Sequence, residues 1–282
     1  TERAAFTVTA TGDLRLTNGK AVTANISSPK QALRVESGKV SVGRGVTVGA
    51  PLPVFIKGNG TAGSATADIY GSLITTEPDN FTLSGNGTND TTTNNGGTVI
   101  NIYPGAYIQN QWDAALYIPQ DGVVNVLGGT IEGEASAIAI KSGELNIIGG
   151  TLRATGADST PTEGWSDGVN ASGAAIQIES NVSYFGYKNT NIAINIDGGV
   201  IESAHGYSIY EYLDEGKPEE REPASDTAVD WLSITGGSIK GVISLSQKLS
   251  EKEDDVTLTG GKYSADPTSW IDDDKYMVVD AG

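Results

Sequence analysis

The chain has 282 residues, enough to bury a substantial core as one long domain or two ordinary ones. Its 18 basic and 35 acidic residues leave a formal charge of −17, which argues against a nucleic-acid or anionic-membrane surface. No apolar run approaches the roughly 18 residues of a bilayer span. With no Cys, one His (His205) and one Met (Met277), disulfide frameworks, thiolate metal sites and Cys nucleophiles are excluded.

The chain starts at Thr1 without an initiator Met, which reads as a processed or trimmed product. The opening "TERAAFTVTATGDLRLTNGKAVTANIS" alternates in hydrophobicity but lacks the grammar of the later repeats, so residues 1–30 are expected to form an N-terminal cap. From Gln31 a pattern sets in. "ALRVESGKVSVGRGVTVGA" carries it with one glycine displaced, and "TVINIYPGAYIQN" carries it with Pro-Gly at the punctuation. It then settles into "VNVLGGTIEG", "LNIIGGTLRA", "INIDGGVIES", "LSITGGSIKG" and "VTLTGGKYSA", whose first glycines are Gly128, Gly149, Gly198, Gly236 and Gly260.

Each Gly-Gly pair sits inside a larger unit. "AIAIKSGELNIIGGTLRA" holds three short alternating segments, Ala137–Ile140, Leu145–Ile148 and Thr151–Arg153, and "ALYIPQDGVVNVLGGTIEG" matches it segment for segment. Period-two alternation means strands with one buried face. Segments this short cannot stand as independent hairpins. Three strands per unit of about 21 residues, in fixed order and separated by glycine corners, predict rungs of a parallel β-helix. A β-sandwich would explain short strands but not three differently flavoured strands recurring in one order. The fold expected is therefore all-β, a single-stranded right-handed parallel β-helix of about eight rungs over residues 31–266. The glycines fit corners where a side chain would clash or φ must be positive. They do not form a phosphate loop, since no helix pattern comes after them.

The polar insertions are not scattered. "SGNGTNDTTTNNGG", "SNVSYFGYKNT", "DEGKPEEREPASDTA" and "QKLSEKEDD" all fall between the first and second strand of a unit. Stacking should align them as a ridge along one edge, and clustered insertions often build a solenoid's binding face. "ATGADSTPTEGWSDGVNASG" leaves from another corner and carries Trp165. At the far end Asp266-Pro267 breaks the repeat, so residues 267–282 are expected as a C-terminal cap in which Trp270, Tyr276 and Met277 plug the last rung.

No catalytic constellation stands out. His205, in "SAHGYSIY", has no nucleophile elbow beside it and reads as a turn histidine. "EKEDD" and Asp272–Asp274 lack the spacing of a calcium loop and read as solvated acids. Glu132 and Glu202 hold equivalent places after Gly-Gly, but Arg153 lies between them and Lys240 comes next. That order suits cross-rung ion pairs rather than a catalytic dyad. Binding is the better expectation, because tyrosines present flat apolar faces with polar edges. Tyr207, Tyr210 and Tyr212 share one rung, Tyr184 and Tyr187 sit in the preceding loop, and a buried Ile209 would turn Tyr210 and Tyr212 outward.

The Gly-Gly units and the ending "GGKYSADPTSWIDDDKYMVV" resemble the repeats of β-helix, adhesin-like surface proteins of gut-type Gram-positive bacteria, and similar β-helices occur in phage fibres and spikes. The resemblance implies an extracellular or cell-surface module, or alternatively a virion part. It carries no catalytic residues. The function expected is non-enzymatic and adhesive, without metal or cofactor. The expected partner is a glycan, a surface protein or copies of the chain itself, with no nucleic acid and no membrane insertion. A structural subunit of an appendage or virion is one rival, and a polysaccharide lyase or glycoside hydrolase is another.

Overall fold

The computed structural model describes residues 4–19, 23–86, 95–157, 173–180, 192–213, 231–245 and 256–271. The described residues form short β-strands and one 3-10 turn, Thr268–Trp270, with no α-helix among them. Leu116–Ile118, Gly122–Val126 and Thr130–Gly133 make one coil, and Ser136–Ile140, Gly143–Ile147 and Thr151–Ala154 make the next. Each strand pairs in parallel with its counterpart in the next coil, as Leu116 with Ile138, Val124 with Leu145 and Ile131 with Leu152. The fold is a parallel β-solenoid with three stacked faces, and successive coils lie about 4.8 Å apart.

The second face is a nine-stranded sheet running from Asp13–Leu16 to Val256–Leu258. The first and third faces merge into a 16-stranded sheet because two strands turn the corner between them, Ser238–Ser244 and, one coil earlier, Val200–Leu213. Its start pairs with Thr151–Ala154 on the third face, and its end pairs with Ala174–Ser180 on the first.

Parallel stacking brings like residues into columns. On the first face Leu33, Val54, Leu83, Leu116, Ile138, Ile176 and Ile209 are in register and fully buried. Matching columns rise inside the second face through Val40, Ala67 and Ile100 and inside the third through Val48, Leu73 and Ile108. Every inward side chain therefore packs against its counterparts above and below, so the core is one continuous rod. The second and third faces bury one side only, as alternation requires. The first face does not: all of Ser136–Ile140 is buried, including the outward Ala139, which packs with Ala114 and Tyr117. A sheet covered on both sides reads as an unbroken apolar run, which explains "AIAI" and "AAIQI".

The Gly-Gly pairs turn the chain from the second face to the third. At each pair the second glycine is left-handed, with φ +81° at Gly129, +90° at Gly150 and +83° at Gly199. The first glycine answers to crowding: a Cβ at Gly198 would lie 2.3 Å from the Ile148 carbonyl oxygen, and one at Gly236 would lie 2.3 Å from that of Asp197. The corners meet through backbone hydrogen bonds, the Thr151 N–H donating to the Gly129 carbonyl at 2.9 Å and the Val200 N–H to the Gly150 carbonyl at 2.8 Å.

At the N-terminal end Phe6–Val8, Asp13–Leu16 and Ala24–Ser27 pair in parallel with the strands of the next coil, so the segment expected as a cap adds strands to all three faces. At the other end Trp270 packs against the core and its indole Nε1–H donates to the Ile243 carbonyl at 3.2 Å. Tyr276 and Met277 lie outside the described residues. So do most of the four long insertions, but the strands that flank them place each at the corner between the first and second faces.

Gly198→Ala should cost about 3 kcal/mol, because its Cβ meets backbone rather than a movable side chain. Gly49→Ala meets the Thr76 methyl at 3.6 Å and the Ile74 carbonyl oxygen at 4.0 Å, both ordinary contacts, and should stay within about 0.5 kcal/mol of wild type. Thermal melts should accordingly drop by about 6 °C or more for the first and barely move for the second.

Candidate functional site

The outward side of the third face carries a charge ladder. Arg153 lies between two acids, with a guanidinium nitrogen 2.5 Å from Glu202 Oε1 and another 3.4 Å from Glu132 Oε2. Lys240 Nζ reaches the other Glu202 oxygen at 3.1 Å, and Gln109 Nε2 donates to Glu132 at 3.1 Å. Burial works against ionisation of Glu202, but hydrogen bonds from Arg153 and Lys240 and the charges behind them outweigh it and hold its carboxyl below the ordinary value of 4.5. A carboxylate held ionised between two cations is poorly placed to be a proton donor at neutral pH, and the ladder is best understood as an inter-coil brace. Among the described residues no three His, Asp or Glu side chains gather as a metal site. His205 sits exposed at the bend between the third and first faces, its backbone N–H donating to Ser203 Oγ at 3.2 Å.

The second face carries a different column, one that alternation alone does not single out. Asn101 Nδ2 donates to Asp68 Oδ1 at 2.8 Å, Asn125 to Asn101 at 2.9 Å, Asn146 to Asn125 at 3.1 Å and Asn195 to Asn146 at 2.8 Å. Each of these residues stands three positions before the glycine or proline that opens its corner, so aligning the repeats on their corners would expose the column. An amide is donor and acceptor at once, so identical amides can stack coil upon coil where identical charges would repel. Beside it runs an apolar line: Tyr70 and Tyr103 stack with centroids 4.0 Å apart, Leu127 comes next, and Ile148 is 55% exposed. The hydrogen bond with Tyr70, together with burial and the nearby Asp68, pushes the Tyr103 phenol up to about 12.

The expected tyrosine cluster is placed in part. Ile209 is fully buried and Glu211 nearly so, which turns Tyr210 to the outward side of the first face as parity requires. Tyr207 and Tyr210 are both half-buried, with ring centroids 4.9 Å apart and planes at 39°. Val242, opposite Tyr207 in the next strand, is 45% exposed and extends the patch, although no motif marks it. Lower on the same outward column Phe81 stacks on Tyr117 at 4.5 Å, and Lys141 Nζ stands 5.6 Å from the Tyr117 ring centre. The backbone of Tyr212 pairs with Glu179 in the first face; its side chain lies outside what is described, as do Tyr184, Tyr187 and Trp165 entirely. Glu211 enters the inward column above Ile178, so the solenoid holds a carboxylate inside its wall next to this patch.

Compared with known proteins, the chain matches no family model, no curated protein and no solved structure.

Arg153→Ala should destabilise the fold by about 1 kcal/mol at neutral pH, a modest figure because the guanidinium is nearly half exposed. The Glu202 value is depressed in the folded state, so its contribution is full above 4.5 and is lost as pH falls through the lower folded value. Melts of wild type and variant should therefore differ by about 2 °C at neutral pH and converge in strong acid.

Proposed function

We propose that the chain is a non-enzymatic exterior module, extracellular or cell-surface, that binds a glycan or a surface protein along the edge between its first and second faces. One observation supports this most: four long polar insertions fall between first-face and second-face strands, and the first face that they border carries the outward Tyr207–Tyr210 pair and the exposed Val242. Half-buried tyrosines fixed on strands offer contact area at low entropic cost, and insertions grouped at one corner of a solenoid often serve binding. The acids of the third face are bound to cations instead of being poised in pairs, which favours binding over glycosidic cleavage.

A second reading, a structural subunit of an appendage or virion, is favoured by a different feature. Among the described residues the first strands, from Phe6–Val8 to Ala24–Ser27, pair on one side only, and Phe6, at the head of the first core column, is 43% exposed. An open parallel edge of this kind is a template for another β-segment.

The two readings separate on Tyr207→Ala/Tyr210→Ala. On glycan arrays and immobilised surface proteins the double variant should lose at least about tenfold in affinity while its thermal melt stays close to wild type. A wild-type chain that binds nothing on either, or a double variant that binds unchanged, would leave the structural-subunit reading in possession.

A further inference from the structure

We infer that the outward side of the second face is a self-association surface, on which a second copy of the chain docks face to face. The inference does not use the tyrosines, which lie on the first face.

The first argument is charge. The chain carries −17, yet this face is almost neutral. Of the seven charged side chains among the described residues of this face and its corners to the third, Asp13 is paired with Arg15 at 2.7 Å and Asp68 with Lys39 at 2.5 Å, leaving the cation Arg44 and the acids Glu144 and Asp197. The centre of the face consists of the amide column and the Tyr103–Leu127–Ile148 line. Two strongly acidic molecules can approach most closely where neither presents charge.

The second argument is area. Strands of about five residues span about 16 Å, and nine of them at about 4.8 Å rise to about 40 Å, which gives about 650 Å² of flat surface per copy. Two such surfaces bury about 1,300 Å², above the roughly 1,000 Å² that a specific interface needs.

The third argument is self-complementarity. Rotating one copy about a two-fold axis along the strands of the central coil sets columns against their own kind. Leu127 then meets Leu127, Ile148 meets Tyr103 of the second copy, and the Asp197 carboxylate meets the Tyr70 hydroxyl of the second copy. The ladder leaves one Nδ2 hydrogen and one Oδ1 lone pair on Asn125, which can therefore bond its own counterpart across the axis. Beside Leu127 and Ile148 the corners are Gly-Gly, which set no side chain next to the middle of the apolar line.

Sedimentation or light scattering on the whole chain tests this. Wild type should show about twice 29.2 kDa. Its dissociation constant should fall several-fold as salt rises from about 0.01 M to about 1 M, because the screening length shrinks from about 30 Å to about 3 Å and the mutual repulsion with it. Ile148→Glu alters a side chain already in solvent, so it should melt like wild type and weaken association at least about tenfold. Lys262→Glu changes the charge more, but on the third face, and should associate like wild type. A chain that stays at 29.2 kDa at the highest soluble concentration and at every salt would overturn the inference. So would Ile148→Glu associating as tightly as wild type, or Lys262→Glu losing as much as Ile148→Glu.

Discussion

The corner between the second and third faces is the constraint on which the rest of this molecule depends. Successive coils can lie a strand spacing apart only if their corners do too, and there the backbone of one coil sits where the side chain of the next would be. A carbon on Gly260 would stand 2.1 Å from the Thr235 carbonyl oxygen, and the glycine after it turns at φ +99°. Gly-Gly meets both demands, one glycine for space and one for conformation. Once the corners register, every other residue inherits a partner at the same offset. The core columns, the charge ladder and the amide ladder are all consequences of that alignment.

The two ladders show how side-chain chemistry adapts to enforced stacking. The third face places Glu132, Arg153, Glu202 and Lys240 in line, and alternation of sign makes the column attractive. The second face places Asn101, Asn125, Asn146 and Asn195 in line, and no alternation is needed because an amide both gives and accepts a hydrogen bond. A polar column half-shielded by its neighbours is stronger than the same groups scattered in water, and it fixes the register of the coils it joins. The acidity of the chain is then displaced to the insertions and ends. The faces stay nearly neutral, and they are where large surfaces can meet.

Much of this was legible in the residues alone. Gly-Gly recurrence with alternation on both sides identified the parallel solenoid, and equal offsets from the glycines identified the Glu–Arg–Glu–Lys column before any geometry. The asparagines carry the same positional signal. They escaped because asparagine within a strand looks like an outward polar filler, and its value as a stacking group appears only when neighbours in space are known. The outward burial of the first face also stayed hidden, since Ala139 reads as a small alternating residue and nothing local says that the far side is covered. At the start of the chain, residues 6–27 lack the Gly-Gly pair yet pair as full strands, with single glycines, Gly12 and Gly19, between them. For the tyrosines, parity correctly turned Tyr210 outward, while their grouping depends on insertions whose course no periodicity dictates.

The stacking itself is open to a direct distance measurement, and the absence of cysteine makes the labelling clean. Ser72 and Ser238 are 166 residues apart in the chain but five coil steps apart on the third face, through Tyr107, Thr130, Thr151 and Val200. Spin labels on cysteines placed at these two positions should give a narrow distance distribution centred near 24 Å, five steps of about 4.8 Å each. A broad distribution, or a centre far from that value, would contradict a continuous parallel stack.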